Sequence, residues 1–112
     1  MQAIRPFEPT SKGTFYIANA LAASALAALP ENSNVVALYN SSDTATAFWH
    51  CAAAGSTAVA ALPTAGSTSP VGAMPIPPST FVRVSVPFGV KSFSVISDIA
   101  HGNLFITPGI GN

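Results

Sequence analysis

The sequence predicts an all-β domain, a sandwich or a barrel, and three observations carry that prediction. The run Phe81-Val82-Arg83-Val84-Ser85-Val86 alternates, with Val82, Val84 and Val86 on one face and Arg83 and Ser85 on the other. A period of two is the mark of a half-buried strand, because successive side chains leave opposite faces of a pleated backbone. Two more β-branched or aromatic runs follow, Ser92-Phe93-Ser94-Val95 and Leu104-Phe105-Ile106-Thr107. Each is bounded by Gly, Pro or Asn, with breaks at Pro87-Phe88-Gly89, Ala100-His101-Gly102-Asn103 and Pro108-Gly109. Short strands at regular spacing with such punctuation point to a sandwich or barrel.

Composition bounds the rest. A chain of 112 residues makes one domain with a single core. Leu, Ile, Val and Phe supply about a quarter of it, enough apolar surface to fold. Charge is scarce: 7% Asp, Glu, Lys and Arg, against roughly 25% in ordinary soluble domains. Arg5, Lys12, Arg83 and Lys91 balance Glu8, Glu31, Asp43 and Asp98, for a formal net charge of zero. Such a surface has little electrostatic protection against association. A nucleic-acid partner is not expected, because there is no basic stripe. Cys51 is the one cysteine, so no internal disulfide forms, and a structural zinc cluster is not expected. No apolar run is long enough to span a bilayer as a helix, so no membrane partner is expected. Arg5 and Lys12 precede Phe15-Tyr16-Ile17 and an Ala/Leu run containing Ala23-Ser24-Ala25, the outline of a signal peptide. Pro6, Glu8, Pro9 and Asn19 make the stretch polar and irregular, so secretion is not expected.

In chain order, residues 1–13 carry Arg5-Pro6-Phe7-Glu8-Pro9, which proline keeps out of a helix interior or a central strand. They read as an extended arm, either frayed or docked on a neighbour through Phe7. The next stretch, 14–29, is ambiguous. Leu21, Ala25 and Leu29 fall at i, i+4 and i+8 in an Ala-rich run that Pro30 would end, which favours a short helix within 18–29. Phe15, Tyr16 and Ile17 prefer strands. Pro30 to Asn34 is a turn cluster, and Val35-Val36-Ala37-Leu38-Tyr39 is a strand apolar on both faces, suited to the middle of a sandwich. Asn40-Ser41-Ser42-Asp43 turns the chain, and Thr44 to Cys51 is expected to return as its hairpin partner. Thr57-Ala58-Val59 reads as one more weak strand and residues 63–70 as a loop. Met74-Pro75-Ile76-Pro77-Pro78 runs extended into the alternating strand.

Candidate chemistry is sparse. His50 and Cys51 are adjacent, but on a strand they point to opposite faces and cannot form a nucleophile pair. Cys51 is expected to be a small core residue and His50 to sit at a sheet rim. His101 lies in a turn, where Asp98 could orient it, yet no serine or threonine sits in an activating motif. Gly109-Ile110-Gly111 opens no helix and is not a phosphate loop. No catalytic residue, metal site or cofactor is expected, and enzymatic activity is not expected. Arg83 has two readings: a solvent-facing side chain with its stem on Phe81, or a subunit contact that grips a carboxylate.

The quoted C-terminal runs, from Ile76-Pro77-Pro78-Ser79-Thr80-Phe81-Val82-Arg83-Val84 through Ser94-Val95-Ile96-Ser97 to Leu104-Phe105-Ile106-Thr107-Pro108-Gly109-Ile110-Gly111, resemble the small capsid decoration, or cement, proteins of tailed bacteriophages. The segment from Ala25 to Leu38, a small-residue run, turn and Val-rich strand, is similar too. The resemblance covers about two thirds of the chain and tilts 18–29 toward strand. It implies a jelly-roll-like β-sandwich on the outside of a virion, a structural protein whose partner is the major capsid protein and which itself forms a homo-oligomer, dimer or trimer. Subunit contacts are then expected from Arg5, Pro6, Phe7, Pro75, Pro77 and Arg83, on proline-stiffened arms that lose little entropy on docking. The competing expectations are a receptor- or glycan-binding module using exposed Trp49, Tyr39 and Phe48, and a head-completion or tail component.

Overall fold

Alternation becomes pairing in the computed structural model, which describes residues 7–10, 13–30, 33–66, 73–87 and 89–111. The strands are β1 (Glu8–Pro9), β2 (Phe15–Ala18), β3 (Ala27–Ala28), β4 (Val35–Asn40), β5 (Ala47–Ala53), β6 (Met74–Ile76), β7 (Phe81–Ser85), β8 (Val90–Ser97) and β9 (Asn103–Ile110). They form two antiparallel sheets. The first runs β1-β9-β4-β7, with β2 also paired to β9; the second runs β3-β8-β5-β6. Because β1 meets residues 109–110 of β9 and β2 meets residues 103–106, the two make one interrupted edge strand.

Counted that way, the chain is a long hairpin. Its first strand pairs with its last, β3 with β8, β4 with β7 and β5 with β6. Rolling that hairpin brings β4 beside β9 and β5 beside β8. The inward side chains of the two sheets then share one core: Val36, Leu38, Leu104 and Ile106 from the first, Ala47, Trp49, Ile76, Phe93 and Val95 from the second. Phe93 is its centre, fully buried, stacked on Trp49 at 4.8 Å and meeting Phe15 edge-on at 4.9 Å across the sheets. Burying a side chain of this size stabilises the fold by about 1.5–3 kcal/mol, and each ring pair adds about 0.5–1.5 kcal/mol.

One end of the sandwich is tied by polar groups. Asn40 is fully buried at the end of β4. Its Nδ2 donates to the carbonyls of Ala45 (2.8 Å), Ile76 (3.1 Å) and Pro77 (3.3 Å). Its Oδ1 accepts from Asn19 Nδ2 and from the Ser42 amide, both at 3.1 Å. A buried amide satisfied on both sides rigidifies the crossing from one sheet to the other.

Several expectations need correction. No helix occurs among the described residues, and 18–29 is extended. Its backbone tracks β8: the amides of Ser24 and Leu29 donate to Val95 and Lys91, and that of Ser97 donates to Ala20. A neighbouring strand supplies partners that an isolated Ala-rich run would have found in a helix, which is tertiary context overriding propensity. β4 and β5 are not a hairpin, because they lie in different sheets and the Asn40 network turns the chain between them. Thr57-Ala58-Val59 forms no strand. β9 runs on through Pro108-Gly109. Pro108 is tolerated because odd-numbered residues of β9 bond to β4, as in the Ser41 amide to Asn103, so the missing N–H faces the outer edge. There only its carbonyl is used, by the Thr10 amide at 3.0 Å.

Candidate interaction surface

Strand register decides what the first sheet shows to the outside. Tyr16 of β2 lies opposite Phe105 of β9, Phe105 opposite Tyr39 of β4, and Tyr39 opposite Phe81 of β7. These four rings therefore form one row across four adjacent strands, on the face away from the core. Tyr16 and Phe105 meet edge-on at 4.8 Å, and Phe105 and Tyr39 stack at 6.1 Å. Tyr16 is 64% exposed, Phe81 63% and Tyr39 41%. The adjoining row is Thr107, Ala37 and Arg83, in register, so the strands carry a single charge on this face. A contiguous apolar patch rimmed by polar residues on a regular sheet marks a contact site more strongly than scattered exposed side chains do.

The expected contact residues do not form one cluster. Arg83 lies on this face, exposed, with no hydrogen bond or ion pair among the described residues. Phe7 lies over Gly109 on the same face, where a Cβ on Gly109 would come within 2.6 Å of the ring. Pro75 and Pro77 are exposed but belong to the second sheet and the turn after it. Arg5 and Pro6 lie outside the described residues. Trp49 is 4% exposed in the core, and Phe48 is on the opposite sheet from Tyr39, so those three rings share no surface. The row that does exist was readable in part: Phe81 has the parity of Arg83, not of the valines. Its alignment with Tyr16 and Phe105 requires the register of three strand pairs, which no local pattern supplies.

The outer face of the second sheet is different. Ser94 of β8 is fully buried there, its Oγ donating to the Ser24 carbonyl at 2.7 Å and accepting from the Ala60 amide at 3.0 Å. Ala52 and Ala60 are buried beside it. His50 lies opposite Ser94, one residue past the β5–β6 pairing, and its buried Nε2 has no hydrogen-bond partner among the described residues. Cys51 points to the core, as alternation requires, and accepts from Trp49 Nε1 at 3.0 Å. Burial pushes its thiol above the ordinary range, with the indole N–H acting the other way.

A serine, a histidine and an aspartate do come together at the Asn40 end. Ser42 Oγ lies 2.9 Å from His101 Nδ1, and Asp43 Oδ1 lies 3.6 Å from the same nitrogen. Serine and carboxylate thus compete for one ring nitrogen, whereas a relay needs one on each. Ser42 Oγ also accepts from the amides of Thr44 and Ala45, which makes it a turn former. Asp98, expected beside His101, instead accepts from the Thr46 amide at 2.8 Å. No cluster of three or more metal-ligating side chains and no helix long and apolar enough to cross a membrane occurs among the described residues.

Comparison with known protein families, with curated proteins and with solved structures returned no match.

Proposed function

We propose that this protein is a structural, non-catalytic component of a phage virion that binds the outside of the capsid shell and stabilises the major capsid protein. The observation that carries the reading is the Tyr16-Phe105-Tyr39-Phe81 row on a face with one charge. Such a face is inexpensive to desolvate, because almost no ion loses its water on docking. The strand order supports a jelly roll: the pairing of first with last, second with second-last and so on inward is that of a rolled hairpin, an architecture common in capsid proteins. The resemblance of the C-terminal strands to cement proteins points the same way.

Magnitudes favour a repeated site. Covering a half-exposed aromatic is worth about 1–1.5 kcal/mol, so Tyr16, Tyr39 and Phe81 give a gross of about 3–5 kcal/mol, which the cost of association brings to millimolar affinity or weaker for a lone copy. A shell offers many symmetry-related positions, and an oligomer that engages several at once multiplies modest contacts. Adding purified protein to undecorated shells is expected to carry it into the pellet and to raise their resistance to heat. Protein that stays in the supernatant over intact shells would contradict the reading.

Glycan binding is the second reading, favoured by the exposed rings of Tyr16 and Tyr39. The burial of Trp49 counts against its original form. Loss of glycan-array binding in Tyr39→Ala, with no binding to shells, would favour it over the first.

A further inference from the structure

Four strand edges bound the two sheets, and they are unequal. The edge made by β1 and β2 is interrupted and carries Pro9; β3 has two residues; β6 has three, with Pro75 in the middle. β7 has five residues, Phe81–Ser85, and no proline. The Asn40 amide donates to Thr80 O at 3.0 Å and the Val86 amide to Asn34 O at 2.9 Å. In an antiparallel ladder the bonding residues alternate, so the N–H and C=O groups of Val82 and Val84 face β4 and those of Phe81, Arg83 and Ser85 face outward. These outward groups have no partner among the described residues. An open groove of about 400 Å³ runs here, lined by Val35 and residues 81–85. A free edge of this kind is a template for another strand.

We propose that the β7 edge pairs with the β7 edge of a second copy of this chain, antiparallel, about a two-fold axis at Val82. The outward groups are at odd positions, so the axis passes through a residue, and only at Val82, Arg83 or Val84 are at least two of the outward residues Phe81, Arg83 and Ser85 paired within β7. At Arg83 the two guanidinium groups would face each other, which is repulsive. At Val84, Phe81 would face Pro87, which has no N–H to give. At Val82, each Phe81 lies opposite Arg83 of the second copy, and each pair exchanges both of its backbone hydrogen bonds. The bare ring and the unpartnered cation of one chain then complete those of the other through a cation–π contact. A two-fold contact needs only this self-complementarity. The aromatic row stays on one outer face of the joined sheets, so the pairing does not depend on the shell reading.

The test is sedimentation equilibrium of the full chain, with amide hydrogen exchange in dilute and concentrated samples. The expected result is a concentration-dependent dimer in which the Phe81 and Arg83 amides become protected and the Ser85 amide does not. Phe81→Arg sets like charges opposite each other and is expected to raise the dissociation constant on the order of a hundredfold. The double variant Phe81→Lys with Arg83→Asp faces opposite charges across the axis and is expected to regain the dimer. A chain that stays monomeric at millimolar concentration with these amides exchanging freely would overturn the proposal. So would a dimer indifferent to Phe81→Arg, one that the double variant fails to restore, or one that protects Arg83 and Ser85 instead. If a variant fails to fold, exchange in the wild-type chain still decides.

Discussion

The outer faces of the two sheets are written in the same alternation and treated in opposite ways. On the second sheet the chain covers itself: Ala60 and Ser24 close over Ser94, and Ala52 is buried with them. On the first sheet Tyr16, Tyr39 and Phe81 stand exposed in register with the partly buried Phe105. Around Ser94 and Ala52 the difference lies in side-chain size. Ala and Ser on the second sheet let a backbone segment approach closely enough to hydrogen-bond, whereas a row of aromatics holds any such segment away.

Breaking the sealed face should have the largest effect on stability. Ser94→Val leaves the Ser24 carbonyl and the Ala60 amide without their buried partner, and urea unfolding is expected to show a loss of about 2–4 kcal/mol. The Ala60 amide should also exchange faster. Next comes Gly109→Ala on the bare face. The new Cβ would lie 2.5 Å from the Glu8 carbonyl, so β1 must leave β9, at a cost of about 1–3 kcal/mol. Exchange protection is expected to fall at Thr10 and to persist through β4.

Tyr16→Ser sharpens the contrast from the other side. Its ring is mostly in solvent and touches Phe105 alone among the rings, so stability should fall by only about 0.5–1.5 kcal/mol, while retention on shells falls. A large loss of stability with unchanged retention would mean the row serves the fold alone. The smallest effect probes the interior that the two faces share. Burial raises the Cys51 thiol pKa in the folded state, so the unfolded chain loses this proton first. The stability that the neutral thiol provides is complete below the unfolded thiol's range and is lost as pH rises through the folded one. Subtracting the alkaline urea profile of Cys51→Ala from that of the wild type is expected to isolate a small downward slope; a slope upward with pH would contradict it.

Where chemistry is local, the sequence was legible. Val82 and Val84, and Phe93 and Val95, each share a face as their alternation assigned, and those faces turn to the core. Two apolar faces suited Val35 to Tyr39 to the middle of a sandwich, and Val35 to Leu38 are buried on β4, between β9 and β7. What local pattern could not reach was pairing over long distance. The Ala-rich run is extended because β8 offers its backbone some seventy residues away, and no propensity scale contains that partner. The turn at Asn40 looked like a hairpin because its residues favour turns of any kind. Its buried amide bonds to Ile76 and Pro77, which sends the chain to the other sheet. The aromatic row depends on three registers at once, so Phe81, Phe105 and Tyr16 read singly as ordinary strand residues.

Hydroxyl-radical footprinting of the protein free and bound to undecorated shells tests the assignment of the bare face most directly. Tyr16 and Tyr39 are expected to lose most of their labelling on docking, while Met74, 39% exposed on β6 of the other sheet, keeps its own. Equal labelling of both tyrosines in free and bound protein, or protection confined to Met74, would show that the shell is held by some other surface.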